Sequence, residues 1–355
     1  MEDVSSLARE LKAHLPWHQA RIIFLAQFIL ALLRGRSCNF YRVADNFQSK
    51  AQAESSYRRI KRFFSGYVYC YEQLGRLIRH WLDLDSYTLC MDRTNWEFGS
   101  KHINYLVVSI AWQGASIPLV WTCLDKQGGN SNTCERIALM ERVLNLIPAA
   151  KIDGLLADRE FIGQDWFQWL DQHNICCRLR IKNDTPVLGT HGKNIKAFQL
   201  FRDVKLNQTV TWHSQRKVSG VSLYIAARRT TKGLLIVVAT HKPETIIEDY
   251  YRRWAIETLF GCLKSRGFDL EATHMTGLDR MDKLMGILAL AFAWCLIVGH
   301  WHYGEAKYLP LNKHWRPAKA LFRLGLDMLR RVLLNEESKG EAISFCVLLK
   351  VLSCT

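Results

Sequence analysis

Tyr87-Thr-Leu-Cys-Met-Asp92, then Ile103-Asn-Tyr-Leu-Val-Val-Ser-Ile-Ala-Trp112, then Ile117-Pro-Leu-Val-Trp-Thr-Cys-Leu124 form the stretch in which the hydrophobic period becomes that of strands. Gln113-Gly114 supplies a hairpin-like turn at the second junction, so the simplest reading is three antiparallel strands. Asn132 and Glu135 stand at capping-box spacing ahead of Ile137, Leu139, Met140 and Val143, which predicts a helix. A short buried strand follows from Gly154 to Ala157, then a helix around Trp166 to Leu170, then a strand from Cys176 to Ile181.

Three strands in a meander followed by helices alternating with shorter strands is the order of an α/β fold with a ribonuclease-H-like sheet. On its amino-terminal side, Ile22, Phe24, Leu25, Phe28, Ile29 and Leu32 fall at helical spacing, and residues 1–80 carry 13 basic against 6 acidic side chains. In Tyr57-Arg58-Arg59-Ile60-Lys61-Arg62-Phe63-Phe64 the spacing turns Tyr57, Ile60, Phe63 and Phe64 to a core. Arg58, Arg59, Lys61 and Arg62 then point outward, as on a helix laid against phosphates. On the other side, residues 183–241 alternate like strands, and Pro243 opens a long helix, about Glu244 to Arg266, that Gly267 stops. The organisation predicted is a helical DNA-binding domain at 1–82, a first part of the core at 83–182 and a β-rich insertion at 183–241. A second part of the core with the Glu-bearing helix at 242–300 and a basic helical region at 301–355 complete it.

The 355 residues suffice for two or three domains, and 49% hydrophobic content excludes a disordered chain. A net charge of +15 points to a polyanionic partner. The apolar run Leu284 to Gly299 has 16 residues, short of the roughly 20 of a spanning helix, so it reads as a core helix and no membrane partner is expected. Eleven scattered cysteines, an odd number without a CxxC pair, imply reduced thiols rather than a disulfide scaffold or zinc ribbon. With no leader-like segment at the start, the expected location is the cytoplasm.

Asp92 and Asp158 each follow an apolar strand directly, and acids at strand ends project into the crevice where open sheets bind ligands. At 100° per residue, Tyr250, Arg253, Glu257 and Lys264 share a stripe about 60° wide, with Ile256, Leu259, Phe260 and Leu263 alongside it. Three carboxylates meeting there would hold two divalent cations about 3.5 to 4 Å apart, the arrangement used in phosphodiester chemistry.

Leu-Cys-Met-Asp92-Arg-Thr-Asn-Trp, Leu-Leu-Ala-Asp158-Arg-Glu-Phe and the spacing Tyr-x2-Arg-x3-Glu-x6-Lys from Tyr250 to Lys264 resemble the DDE transposases of bacterial insertion sequences, specifically the insertion-sequence-four family. Arg58-Arg-Ile-Lys-Arg-Phe-Phe64 and the tail Arg316-Pro-Ala-Lys-Ala-Leu-Phe-Arg-Leu-Gly-Leu326 extend the resemblance over nearly the whole chain. It implies a ribonuclease-H-like core in which Asp92, Asp158 and Glu257 hold two Mg²⁺ ions, with Mn²⁺ able to substitute. The implied reaction is cut-and-paste transposition through hairpin ends, with the terminal inverted repeats and target DNA as double-stranded partners and a homodimer in the synaptic complex. Tyr250, Arg253 and Lys264 would hold the phosphate near the cleaved end, Arg159 would add a contact, and Trp212 would stack a flipped base. The implied location is bacterial, cytoplasmic and nucleoid-associated. Only about 90 residues follow Lys264, so synapsis is expected to use surfaces other than a long carboxy-terminal dimerisation region. A ribonuclease-H-like nuclease without strand transfer and a DNA-binding repressor of transposition are the alternatives. The intact acidic trio disfavours the repressor.

Overall fold

Five helices open the computed structural model: α1 Glu2–His14, α2 Gln19–Gly35, α3 Phe40–Asp45, α4 Ala53–Gly66 and α5 Tyr71–Leu82. The structure describes all residues except Met1, Lys50, Tyr69, Asp125, Gln127, Gly128, Thr190, His191, 306–319, 336–342 and 353–355. Strands β1 Tyr87–Phe98, β2 Lys101–Trp112 and β3 Ala115–Cys123 follow. Gln113 and Gly114, with φ of 50° and 76°, make the tight turn between the last two. Helix α6, Thr133–Leu144, starts on the expected capping box. There the Asn132 side chain accepts from the Glu135 N–H and the Glu135 carboxylate from the Asn132 N–H, both at 2.8 Å. Then come β4 Ile152–Ala157, α7 Gln164–Gln172 and β5 Cys177–Ile181, followed by β6 Pro186–Leu188, β7 Asn194–Lys196, β8 Thr209–Val218, β9 Val221–Thr230 and β10 Gly233–Ala239. Helices α8 Ile246–Tyr250, α9 Trp254–Gly261, α10 Leu278–Glu305, α11 Leu321–Leu333 and α12 Phe345–Lys350 complete the chain.

Two units divide these elements: Met1–Asp83, Trp96–Lys101 and Leu259–Thr355 in one, Leu84–Asn95 and His102–Thr258 in the other. The first is built on helices. Helix α10 is long and apolar enough to cross a membrane by length and composition, yet residues 284–299 are buried within the protein, which makes it the core helix expected from the sequence. Around α2 and α4 the core is aromatic, with Phe24 stacked on Phe63 at 4.3 Å between ring centroids and Phe28 against Phe64 at 5.4 Å. In the basic region expected at 301–355, residues 306–319, 336–342 and 353–355, and with them Arg316 to Lys319 of the quoted tail, lie outside the described residues.

The second unit carries the sheet, in the order β3-β2-β1-β4-β5-β10-β9-β8-β6-β7. Strand β4 runs parallel to both β1 and β5, whereas β10 runs antiparallel to β5. The β-rich stretch 183–241 therefore continues the same sheet. The segment expected as one long helix from Glu244 to Arg266 is helical throughout and stops at Gly267 as expected, but its hydrogen-bonding pattern changes along it. A 3₁₀ turn at Pro243–Thr245 leads into α8, a second at Tyr251–Arg253 separates α8 from α9, and a π turn at Cys262–Arg266 closes the run. A 3₁₀ turn advances about 120° per residue and a π turn less than 100°, so side-chain directions computed for an ideal helix drift.

Candidate active site

Met91 pairs with Ala157 in the last step of the parallel β1 to β4 ladder. Asp92 and Asp158 are the next residues on these two neighbouring strands, whose backbones run about 4.8 Å apart. Asp158 follows the end of β4, as expected, but Asp92 does not end β1. That strand continues to Phe98, and what stops before Asp92 is its pairing with β4. Asp92 Oδ1 accepts the N–H of Arg93 at 2.8 Å. Burial pushes the Asp92 carboxyl up to about 6, with Glu160 and Asp158 adding to the rise and the Arg93 N–H and Arg253 opposing it. Asp158 Oδ1 is buried without a hydrogen bond among the described residues, and its nearest cation is Arg180 Nη1 at 3.8 Å.

The Glu-bearing segment reaches these acids through Arg253. Its guanidinium is buried, with Nη1 3.3 Å from Asp92 Oδ2 and Nη2 2.6 Å from Glu257 Oε1. Glu257 keeps half of its side chain in solvent, 53% exposed. Among the described residues no three acids, cysteines or histidines are assembled around a cation position. The donor set still suits a hard divalent cation, because carboxylate oxygens are its preferred ligands and the buried, unbonded Asp158 Oδ1 is a group such an ion would satisfy.

The Transposase DDE domain family matches residues 84–294, more than half of the chain. The chain belongs to this family. It is a DNA transposase, an enzyme of the DDE type. Among solved structures, a cryo-electron-microscopy structure of piggyBac transposase in a synaptic complex with hairpin DNA is similar at a TM-score of 0.45 and 9% identity, covering 100% of this chain and 82% of that one. No curated protein matches it.

Tyr250 of the transposase departs from expectation. The sequence puts it on the polar stripe, but its ring is fully buried in a cluster with Ala226, Leu235, Val237, Ala239, Ile246 and Ile247. Arg253, one 3₁₀ turn further on, is buried as well, whereas Glu257 is half in solvent. Burial raises the phenol's pKa, and the ring lies 5.7 Å from the Arg253 guanidinium, supporting it from the core side. Lys264 falls in the other unit, on the π turn, with Nζ 3.9 Å from Glu271 and 5.6 Å from the Trp96 ring. Arg58, Lys61 and Arg62 of α4 are exposed and Arg58 pairs with Glu54, whereas Arg59 is half-buried and donates to Gln27 at 3.0 Å. Arg159 is exposed, and Trp212 is half-buried with Arg216 4.6 Å from its ring.

Three arrangements in this transposase carry no local sequence signal. Arg93 forks onto Glu160 at 2.6 and 2.8 Å and also donates to Asn104, the Gly129 carbonyl and Asn130. That network braces the residue after Asp92 against the second residue after Asp158. Tyr251 and Trp254, both exposed, stack at 5.4 Å. Buried Arg178 of β5 lies over Gly154, where any side chain would collide with it, and pairs with Asp249 of α8 at 2.6 Å. This pair fastens the Glu257-bearing segment to the sheet, helped by Arg252 donating to Thr88 at 3.0 Å. Asp249→Asn is expected to cost about 3 kcal/mol in stability, since it leaves a buried guanidinium without its counter-charge. Thermal unfolding measures this, and an unchanged midpoint would show the pair to be dispensable.

Proposed function

We propose that the transposase is of the insertion-sequence-four type, with a ribonuclease-H-like core, and that Asp92, Asp158 and Glu257 are its catalytic acids. The observation that carries the reading is the parallel β1 and β4 pair, which brings Asp92 and Asp158 side by side, with Arg253 linking Asp92 to Glu257. The strand order β3-β2-β1-β4-β5 supports the core assignment, and the Tyr250, Arg253, Glu257 and Lys264 spacing supports the subgroup.

Asp92 and Asp158, joined by Glu257, would hold two Mg²⁺ ions, with Mn²⁺ a substitute. Bound there, the ions supply an activated water or 3′-hydroxyl and neutralise charge on the leaving oxygen. The protein's own groups do the positioning. Arg253 offers a rigid fork to a backbone phosphate, and Tyr250 orients it from beneath rather than touching DNA. Lys264 and Arg159 add positive charge for phosphates. Of the aromatics, exposed Trp254 on Tyr251 is better placed than half-buried Trp212 to receive an unstacked base. The cationic outer face of α4, with Arg58, Lys61 and Arg62 and with Arg59 at its edge, binds the terminal inverted repeats. Synapsis uses a homodimer, and the protein works at the bacterial nucleoid.

Incubation with DNA carrying the element's own ends and Mg²⁺, followed by denaturing electrophoresis, tests the reading. The expected products are nicks with 3′-hydroxyls, hairpin ends and joined strands, all absent with Glu257→Gln while binding to the ends persists. Undiminished cleavage by Glu257→Gln would refute the assignment of the third acid.

A further inference from the structure

We infer that Arg253 is the resident counter-cation of the acidic site, so that a divalent cation loads only by drawing Asp92 and Glu257 away from its guanidinium. The inference rests on the assignment of these acids above and adds an order of events to it. One planar fork faces both carboxylates, Nη1 at 3.3 Å from Asp92 and Nη2 at 2.6 Å from Glu257. A guanidinium does not lose its proton in a protein, so its charge leaves the site only by moving.

The space argues the same way. A small divalent cation takes carboxylate oxygens at about 2.1 Å, so an ion shared by Asp92 and Glu257 needs their oxygens within about 4 Å of each other. The guanidinium occupies the volume between those oxygens, and the two ligations exclude one another. Arg253 is also held from its other sides, with the Tyr250 ring at 5.7 Å and the Trp254 ring at 5.2 Å. Glu257 is free to turn, being half in solvent. Metal loading therefore frees the fork that a DNA phosphate needs.

Mn²⁺ binding to the full-length protein at pH 8, read by electron paramagnetic resonance of the free ion, tests this. Arg253→Gln is expected to bind Mn²⁺ at least tenfold more tightly than the parent, although it loses DNA cleavage. A residue that merely supports the fold would leave affinity unchanged or weaken it, and either result in a folded variant overturns the inference. The parent protein supplies a second measurement that needs no substitution. Phenylglyoxal labelling of Arg253, mapped by mass spectrometry, should rise at least fivefold on adding Mn²⁺, while that of buried Arg136 does not change. Equal or lower labelling of Arg253 also overturns the proposal. If Asp92→Asn and Asp158→Asn both leave Mn²⁺ affinity intact, the acids are misassigned and the inference falls with them. If both lose the ion while Arg253→Gln leaves affinity at the parental value, only the counter-cation role fails.

Discussion

Asp92→Asn is expected to abolish strand cleavage and, in metal-free buffer at pH 8, to raise the unfolding temperature. The loss of activity follows from removing a carboxylate at the acidic site. At least a thousandfold is expected, about 4 kcal/mol of transition-state stabilisation. The gain in stability follows from burial. Folding moves the Asp92 carboxyl from 3.8 up to about 6, first through desolvation and then through Glu160 and Asp158. The folded state therefore holds the proton more tightly than the unfolded one, and stability falls as pH rises from about 4 to about 6. Above that window the whole cost is present, about 3 kcal/mol at 1.36 kcal/mol per pH unit. Asn is neutral and nearly isosteric with the protonated acid, so it avoids that cost. Thermal unfolding with a chelator across pH 4 to 8 measures both effects. The variant should lose the parent's decline between pH 4 and 6, and a lower unfolding temperature than the parent at pH 8 would contradict the argument.

The two aspartates were legible because each breaks an apolar strand run with a charge, and because three meander strands followed by β4 make β1 and β4 neighbours. The capping box of α6 was legible because its signal spans four residues. Tyr250 was misread because helical spacing tells which residues share a face, and not that β9 and β10 supply an apolar cluster that covers this one. The continuation of β1 to Phe98 was hidden because Arg93, Thr94 and Asn95 interrupt the apolar run, whereas Arg93 is neutralised by Glu160, a residue 67 positions away. Arg178 over Gly154, paired with Asp249, joins three elements that no window of sequence contains together. What periodicity cannot register is a charge whose partner arrives from another element.

The same holds for the glycines of the helical unit, where Gly325→Ala is expected to be among the most damaging single substitutions in the protein. A Cβ at Gly325 would overlap the carbonyl of Cys295 on α10, and one at Gly299 would overlap the carbonyl of Leu321 on α11. Each helix thus offers a glycine to the other's backbone, and neither obstacle is a side chain that can rotate away. Admitting one methyl group forces the helices apart along a face that buries Phe322, Leu326, Leu329 and Leu333 and stacks Phe322 on Phe292 at 4.8 Å. The expected cost is about 3 kcal/mol or more. The disturbance also travels, because the Phe322 ring packs so closely on Gly267 that a Cβ there would sit 2.7 Å from it, and Gly267 caps the π turn that carries Lys264. Gly304, near the end of α10, is the internal control, since a Cβ there meets nothing within 4 Å. Gly304→Ala should stabilise by about 0.5 to 1 kcal/mol through helix propensity alone. Chemical denaturation of the two variants side by side should therefore give shifts of opposite sign. A Gly325→Ala protein within 1 kcal/mol of its parent would mean that α10 and α11 are not packed backbone to backbone.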